Sequence, residues 1–342
     1  MLNSHLKSIP HRNQNVFKPP LILKNKHLQT LYAPLFRKQT APKVEIEHFD
    51  LADGDFVECY WHNEKPNDER PIVTLFHGLA GSFNSPYIQG IMKALEKKGF
   101  ASVLMHFRGC SGKENLLPRS YHSGDTADAK AWLEHLKENY PKSDFHAVGY
   151  SIGGNMLLKL LGEEGSKVVL KSAVSVSAPM DLDITAKAIN RGFSKLYQAH
   201  LLKALKLTLL KKYKQFEMEK FLGISEEVIK NIKTIEEFDE RYTAPINGFK
   251  SAKDYYEKCS AKQFLKDIEI PTLIIHALDD PFMTPEILPS SFEEISETIT
   301  LKLSEYGGHV GFVGGGLFRP DYWLESSIVD YFVKHHPNSQ PF

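Results

Sequence analysis

Three short segments, Ile72 to Phe76, Ala101 to Phe107 and Phe145 to Tyr150, are apolar almost throughout, and each stops at glycine or a small polar residue. Runs of that length suit strands buried on both faces of a parallel sheet, where neither side of the pleat meets water. Between and after them the period becomes helical, over Tyr87 to Lys98, Thr126 to Tyr140 and Gly153 to Leu161. The alternation reads βαβαβα, and right-handed crossovers turn it into a doubly wound, mostly parallel α/β sheet. Ahead of it, VEIEHF and DFVECYW flank the turn-like Leu51-Ala-Asp-Gly-Asp55 and predict an antiparallel hairpin.

A further strand is predicted over Ala173 to Ser177. The sheet then resumes only at Thr272 to His276 and Ile299 to Leu303, before a closing helix over Tyr322 to Lys334. The long interruption holds several helical patterns and no strand pattern. It is explained by a helical cap inserted over the carboxyl edge of the sheet, where such folds bind ligands. The predicted divisions are an amino-terminal arm over 1–40, a core over 41–180 and 265–342, and the cap over 181–264. Leu28, Leu31, Tyr32 and Leu35 are the only expected anchors of the arm, which is basic, rich in prolines and read as lying on the surface.

With 342 residues, 42% of them hydrophobic, the chain can bury a large core. Its 42 basic and 42 acidic side chains cancel, so no overall field favours nucleic acid, and any electrostatic preference is local. Three scattered cysteines, Cys59, Cys110 and Cys259, make no disulfide framework and fit a reducing compartment. The amino terminus lacks the continuous apolar stretch of a secretory signal, and no apolar run reaches the ~18 residues of a membrane span. A soluble, cytoplasmic protein is expected.

Candidate chemistry starts at Gly149-Tyr150-Ser151-Ile152-Gly153, a G-x-S-x-G between an apolar strand and a helix. A sharp turn there exposes a serine, and the flanking glycines remove Cβ atoms that would collide with strand or helix. A capping serine is the blander reading; the strand before, the helix after and two partners downstream favour a nucleophile. A serine hydroxyl needs a base, and the base needs an orienting acid. In the α/β-hydrolase fold these follow in the order Ser, Asp, His. The strand ending in Ala277-Leu-Asp-Asp280 resembles the acid loop of that fold, with Ala277 in place of its glycine, and this register selects Asp280 over Asp279. Among fifteen histidines, His309 alone lies after the acid loop and the last strand yet before the closing helix. Backbone N–H groups of Leu79, in the glycine-rich His77-to-Ser82 loop, and of Ile152 are the predicted oxyanion donors. His77 is read as a structural hydrogen-bonder.

Longer segments are more specific. His77-Gly-Leu-Ala-Gly-Ser-Phe-Asn-Ser-Pro-Tyr87, His106-Phe-Arg-Gly-Cys-Ser-Gly112, Tyr121-His-Ser-Gly-Asp125, Gly149-Tyr-Ser-Ile-Gly-Gly-Asn155, Gly307-Gly-His-Val-Gly-Phe312 and Asn25-Lys-His-Leu-Gln-Thr30 resemble the bacterial YheT-type esterases. Eukaryotic relatives of these are abhydrolase-domain lipases. The resemblance implies a carboxylesterase acting on lipophilic or short acyl esters, with Ser151, Asp280 and His309 at the family's triad positions. The membrane anchor of the eukaryotic relatives is not found ahead of these motifs.

Other features are read more plainly. Arg108 is assigned to tying loops together rather than to holding a substrate anion, and His122 with Asp125 lacks further ligands for a metal. Gly311 to Gly316 lacks the Lys-Ser/Thr ending of a phosphate loop and reads as flexibility beside His309. Arg191 to Lys220 carries eight basic and two acidic residues among leucines at helical spacing; Phe221 to Glu240 carries six acids and two lysines. A lid whose leucines cover the site while its lysines face water is preferred over a helix lying on an anionic membrane. The expected function is hydrolysis of a small-molecule or lipid ester through an acyl-enzyme on Ser151. Neither cofactor nor metal, nor an obligate protein partner, is called for. Acyl transfer, lipase or thioesterase action on the same residues, and a non-catalytic binding role, are the alternatives.

Overall fold

The three apolar runs form the middle of an eight-stranded sheet in the computed structural model, which describes residues 17–316 and 319–336. They are β3 (Ile72–Phe76), β4 (Ala101–Met105) and β5 (Phe145–Tyr150), followed by β6 (Leu170–Val176), β7 (Thr272–Ala277) and β8 (Ile299–Ser304). The order is β1-β2-β4-β3-β5-β6-β7-β8. Strands β3 to β8 run parallel, and the hairpin of β1 (Val44–Asp50) and β2 (Phe56–His62) joins antiparallel to β4. Strand β4 ends at Met105, earlier than the apolar run, because the Phe107 N–H is taken by His77 Nε2 at 3.1 Å rather than by a ladder partner.

Side chains alternate across each strand, so one sheet builds two cores. Val73, Leu75 and Val148 meet α2 (Pro86–Glu96) and the closing helix α12 (Trp323–His335) through Ile88, Met92 and Phe332. Ile72, Phe76 and Ala147 face the other side, where α3 (Thr126–Asn139) and α4 (Ile152–Glu164) bring Trp132, Leu136 and Met156. Both layers are anchored by strands with no exposed position, as the continuous apolar runs require.

Between β6 and β7 lie α5 (Leu182–Ile189), α6 (Ser194–Gln215), α7 (Met218–Leu222), α8 (Glu226–Asn231), α9 (Ile235–Phe238), a π-turn (Asp239–Thr243), α10 (Ala244–Ile246) and α11 (Ala252–Cys259). Leu202, Leu209, Met218, Ile229, Phe238 and Tyr242 give these helices a core of their own. Not every lysine of α6 faces water. Lys212 is fully buried, its Nζ donating to Asn115 Oδ1 at 2.7 Å and to Leu117 O at 2.8 Å.

The arm departs from its expected form. Residues Lys26–Phe36 make a helix, α1, whose first N–H groups are capped by the Asn25 side chain. Its inner face is Gln29, Tyr32 and Ala33, whereas Leu28 and Leu35, expected as anchors, are exposed. The reason is polar: Gln29 donates to Leu23 O and Val313 O and accepts from Val313 N, which fixes the rotation of the helix. Val313 belongs to a second correction. The glycine run read as flexible is β9 (Val313–Gly316), paired antiparallel with β10 (Arg319–Tyr322), so that backbone bonds rather than side chains hold it. Among the described residues no helix is long and apolar enough to cross a membrane.

Candidate active site

Strand β5 delivers Ser151 to the carboxyl edge of the sheet, and α4 starts at the next residue. The reversal puts Ser151 at φ +53°, ψ −122°, a strained conformation for a residue with a Cβ. It is held by Ser151 N donating to Val176 O at 2.8 Å and by close packing around it. A Cβ on Gly153 would stand 2.5 Å from His77 O, and one on Gly149 2.3 Å from Gly153 O, so neither position accepts alanine without backbone movement.

Two other strand ends bring the partners. His309 Nε2 lies 3.0 Å from Ser151 Oγ, and its Nδ1 lies 2.8 Å from Asp280 Oδ2 in the loop after β7. A carboxylate can only accept, so Nδ1 carries the proton toward Asp280 and Nε2 is left as the acceptor for the serine hydroxyl. Asp280 is buried, and its other oxygen accepts the Phe282 N–H at 2.8 Å. Asp279 points elsewhere: it accepts the Gly308 N–H at 2.9 Å, and burial raises its carboxyl to about 6. The Phe282 ring stacks on His309 at 4.0 Å and 10°.

The loop carrying His309 is fixed from below and from the side. The His309 N–H donates to Thr30 Oγ1 at 3.0 Å, and the Val310 N–H to Ser177 Oγ at 3.2 Å. Val310 and Ser177 both have positive φ, +56° and +50°, as does Ala80 at +53°. Strain of this kind, costing roughly 1–3 kcal/mol per residue, persists only where the surroundings over-determine it.

The loop after β3 has its N–H groups assigned one by one. Gly78 N donates to Tyr87 Oη at 3.0 Å, Ala80 N to Tyr121 Oη at 3.0 Å, and Gly81 N to Gly78 O at 2.9 Å. Among the described residues the N–H groups of Leu79 and Ile152 are left without a hydrogen bond, beside the serine. Both residues are half-buried and line the cavity, so these two donors are open to an incoming oxygen. His77 is buried and neutral. Its Nδ1 lies 2.7 Å from Gly78 O, its Nε2 accepts Phe107 N–H, and burial lowers its pKa to about 3. Arg108 is buried among Asp128, Asp53 and Asp55, spending its donors on α3 and on the turn between β1 and β2 rather than on the site. The His122 ring packs edge-on to Phe249 and Tyr255, and burial lowers its pKa to about 3.

Ser151 opens into a cavity of about 500 Å³, walled on the far side by α5, α6 and the π-turn. Leu182, Ile189, Leu201, Ala204, Leu205 and Phe238 line it with few polar groups. One exception is Asp239, hydrogen-bonded by Tyr256 Oη at 2.8 Å and raised by burial to about 6. Such a site can support attack by an activated hydroxyl on a carbonyl whose remaining substituents are apolar.

Sequence reasoning brought Ser151, Asp280 and His309 into one proposal, and the structure places all three in contact. It missed Thr30, Tyr87, Tyr121, Ser177 and Phe282. Three of these lie inside the motif segments quoted above, and only the bond each makes to a distant backbone gives it a role.

Residues 71–315 match the family model for the alpha/beta hydrolase fold. The chain is 42% identical over 93% of its length, and 93% of the relative's, to an Escherichia coli (strain K12) protein named "Putative esterase YheT". It is 30% identical over 90% of its length, and 76% of the relative's, to phospholipase ABHD3 of Mus musculus. The solved structure of Pyrococcus furiosus esterase Pf2001 superposes with a TM-score of 0.56 at 18% identity, covering 94% of this chain and 98% of that one, which speaks to fold alone. The chain belongs to the α/β-hydrolase fold family, among its esterase and lipase relatives.

Proposed function

We propose that the protein is a serine hydrolase of carboxylic esters acting through an acyl-enzyme on Ser151. The observation that carries this reading is the continuous relay from Asp280 through His309 to Ser151, opening onto an apolar cavity. His309 takes the hydroxyl proton as Ser151 Oγ attacks the ester carbonyl, and the Leu79 and Ile152 N–H groups hold the tetrahedral oxyanion. Asp280 stabilises the imidazolium. His309 then protonates the leaving alcohol, and a water activated by the same histidine releases the acid. Phe282 holds the imidazole flat through both steps. The cavity favours a lipophilic acyl group, since its lining offers dispersion contacts and little hydrogen bonding.

A fluorophosphonate probe with an ester series of graded chain length tests the reading. Labelling confined to Ser151, lost in Ser151→Ala and strongly reduced in His309→Ala, is expected together with turnover of lipophilic esters. A folded protein that neither labels nor turns over any ester overturns it. Acyl transfer to an alcohol is the second reading; it is favoured by the enclosed cavity, and one relative, 28% identical, is named a medium-chain fatty acid ethyl ester synthase/esterase.

A further inference from the structure

Two helices contribute to the cavity wall, and both also turn apolar residues outward. On α1, Leu28, Leu31 and Leu35 stand three and four residues apart; Leu28 and Leu35 are exposed, while Leu31 lines the cavity. The buried face of that helix is the opposite one, carrying Gln29, Tyr32 and Ala33. On α6, Leu196, His200, Lys203 and Leu207 repeat at four, three and four residues and are all exposed, and His200 also reaches the cavity. The two helices touch: the His27 ring lies 4.4 Å from that of Phe193, and its Nδ1 3.1 Å from Tyr197 Oη. The outward stripes therefore lie on neighbouring helices, each with a residue, Leu31 or His200, that also reaches the cavity.

Charge around these helices is one-sided. Residues 17–44 contain six lysines and arginines, residues 191–216 contain seven, and neither segment has an aspartate or glutamate, although the whole chain balances 42 against 42. Lys24, Lys26, Arg191, Lys195 and Lys203 form no ion pair among the described residues. Leu201, Leu202, Leu205 and Leu209 do turn inward, as a lid requires, but Leu196 and Leu207 do not. Exposed leucines and unpaired cations on the same helices fit a surface that is apolar within and negative at its boundary. A second copy of the chain fits poorly, since it would set two such positive faces against each other.

We propose that α1 and α6 form a docking face for an anionic lipid surface at the cavity mouth, so that esters enter the Ser151 cavity from the bilayer. This deepens the esterase reading by naming the source of its substrate. Leucines of both stripes sit in the acyl boundary, lysines meet the headgroups, and an acyl chain reaches Ser151 between Leu31 and His200 without crossing water.

The test is co-sedimentation of Ser151→Ala protein, which cannot turn lipid over, with vesicles of phosphatidylglycerol mixed with phosphatidylcholine and with vesicles of phosphatidylcholine alone. Binding to the anionic vesicles only, weakened by salt, is expected. Lys26→Glu and Lys195→Glu should each lower partitioning roughly fivefold, and Leu28→Ser with Leu196→Ser should abolish it while leaving the circular dichroism spectrum unchanged. Equal binding to both vesicles, or none, overturns the proposal. So does a concentration-dependent dimer in sedimentation velocity that the two leucine changes dissolve, because a second copy would then cover the face. Fluorophosphonate labelling of the wild type separates the two readings: labelling without vesicle binding removes the docking face alone, and binding without labelling removes the esterase reading alone.

Discussion

The hydroxyl of Thr30 accepts the backbone N–H of His309 while donating to Lys26 O at 2.8 Å, so one turn of the arm helix holds the loop of the proposed base. Thr30→Val keeps the shape and removes the acceptor. A lost hydrogen bond of about 1 kcal/mol, expressed in the position of His309, lowers kcat by about fivefold to tenfold with little change in KM. Steady-state kinetics on a soluble ester checks this; an unchanged kcat would show the loop to be held by other contacts.

Asp280 and Asp279 are adjacent, yet only Asp280 meets the imidazole. Asp280→Asn is expected to lower kcat by about a thousandfold or more, since an amide facing Nδ1 favours the wrong tautomer. Asp279→Asn keeps an acceptor for Gly308 N–H and should cost less than about tenfold. Similar losses in both variants would mean that the pair shares the role.

The chain should lose stability on acidification. His77 and His122 are held at about 3 and His106 and His276 at about 4, all by burial, against an ordinary 6.5. The unfolded chain therefore takes up these protons first, and stability falls as the pH drops from 6.5. Asp239 and Asp279, raised from 3.8 to about 6, act in the opposite sense and gain stability over the same window. With His146, also held at about 4 by burial, five histidines outweigh two carboxyls, for a net loss on the order of several kcal/mol by about pH 4. Urea midpoints measured down that range should fall; rising midpoints would mean that the carboxyls dominate.

Ala204 lies on α6 in the cavity wall, where a larger side chain shortens the space beyond Ser151. Ala204→Trp should lower kcat/KM for long acyl esters at least tenfold relative to acetyl esters, equivalent to about 1.4 kcal/mol of lost transition-state binding. A uniform loss across the series would place the acyl chain elsewhere.

What the sequence made legible follows from how local each signal is. Strands buried on both faces declare themselves as unbroken apolar runs, and the turn at Ser151 requires glycines that can be read directly. Preferring Asp280 to Asp279 rested on the resemblance of the loop after β7 to the acid loop of the fold, and Asp280 is the one that meets His309. Of the expected arm anchors Tyr32 is buried but Leu28 and Leu35 are not, because the face of α1 is chosen by Gln29, whose partner Val313 lies 284 residues away. Its leucines kept helical spacing but pointed outward, which a rule about apolar anchors cannot anticipate. Likewise the glycines of β9 look mobile until their antiparallel partner is known, and Lys212 looks solvated until Asn115 is placed beside it.

Lys212 bears on how the roof over the cavity behaves. Its ammonium is bonded to Asn115, whose own amide reaches Asp55 at 2.7 Å, and Asp55 is bound to Arg108 at 3.0 Å. Swinging α6 away would break both hydrogen bonds of the Lys212 ammonium, each worth about 1.5–3 kcal/mol where one partner is charged. The roof is thus bolted to the floor at one end. On the proposed docking route, traffic in and out passes beside α1, through a fixed neck rather than a hinged box.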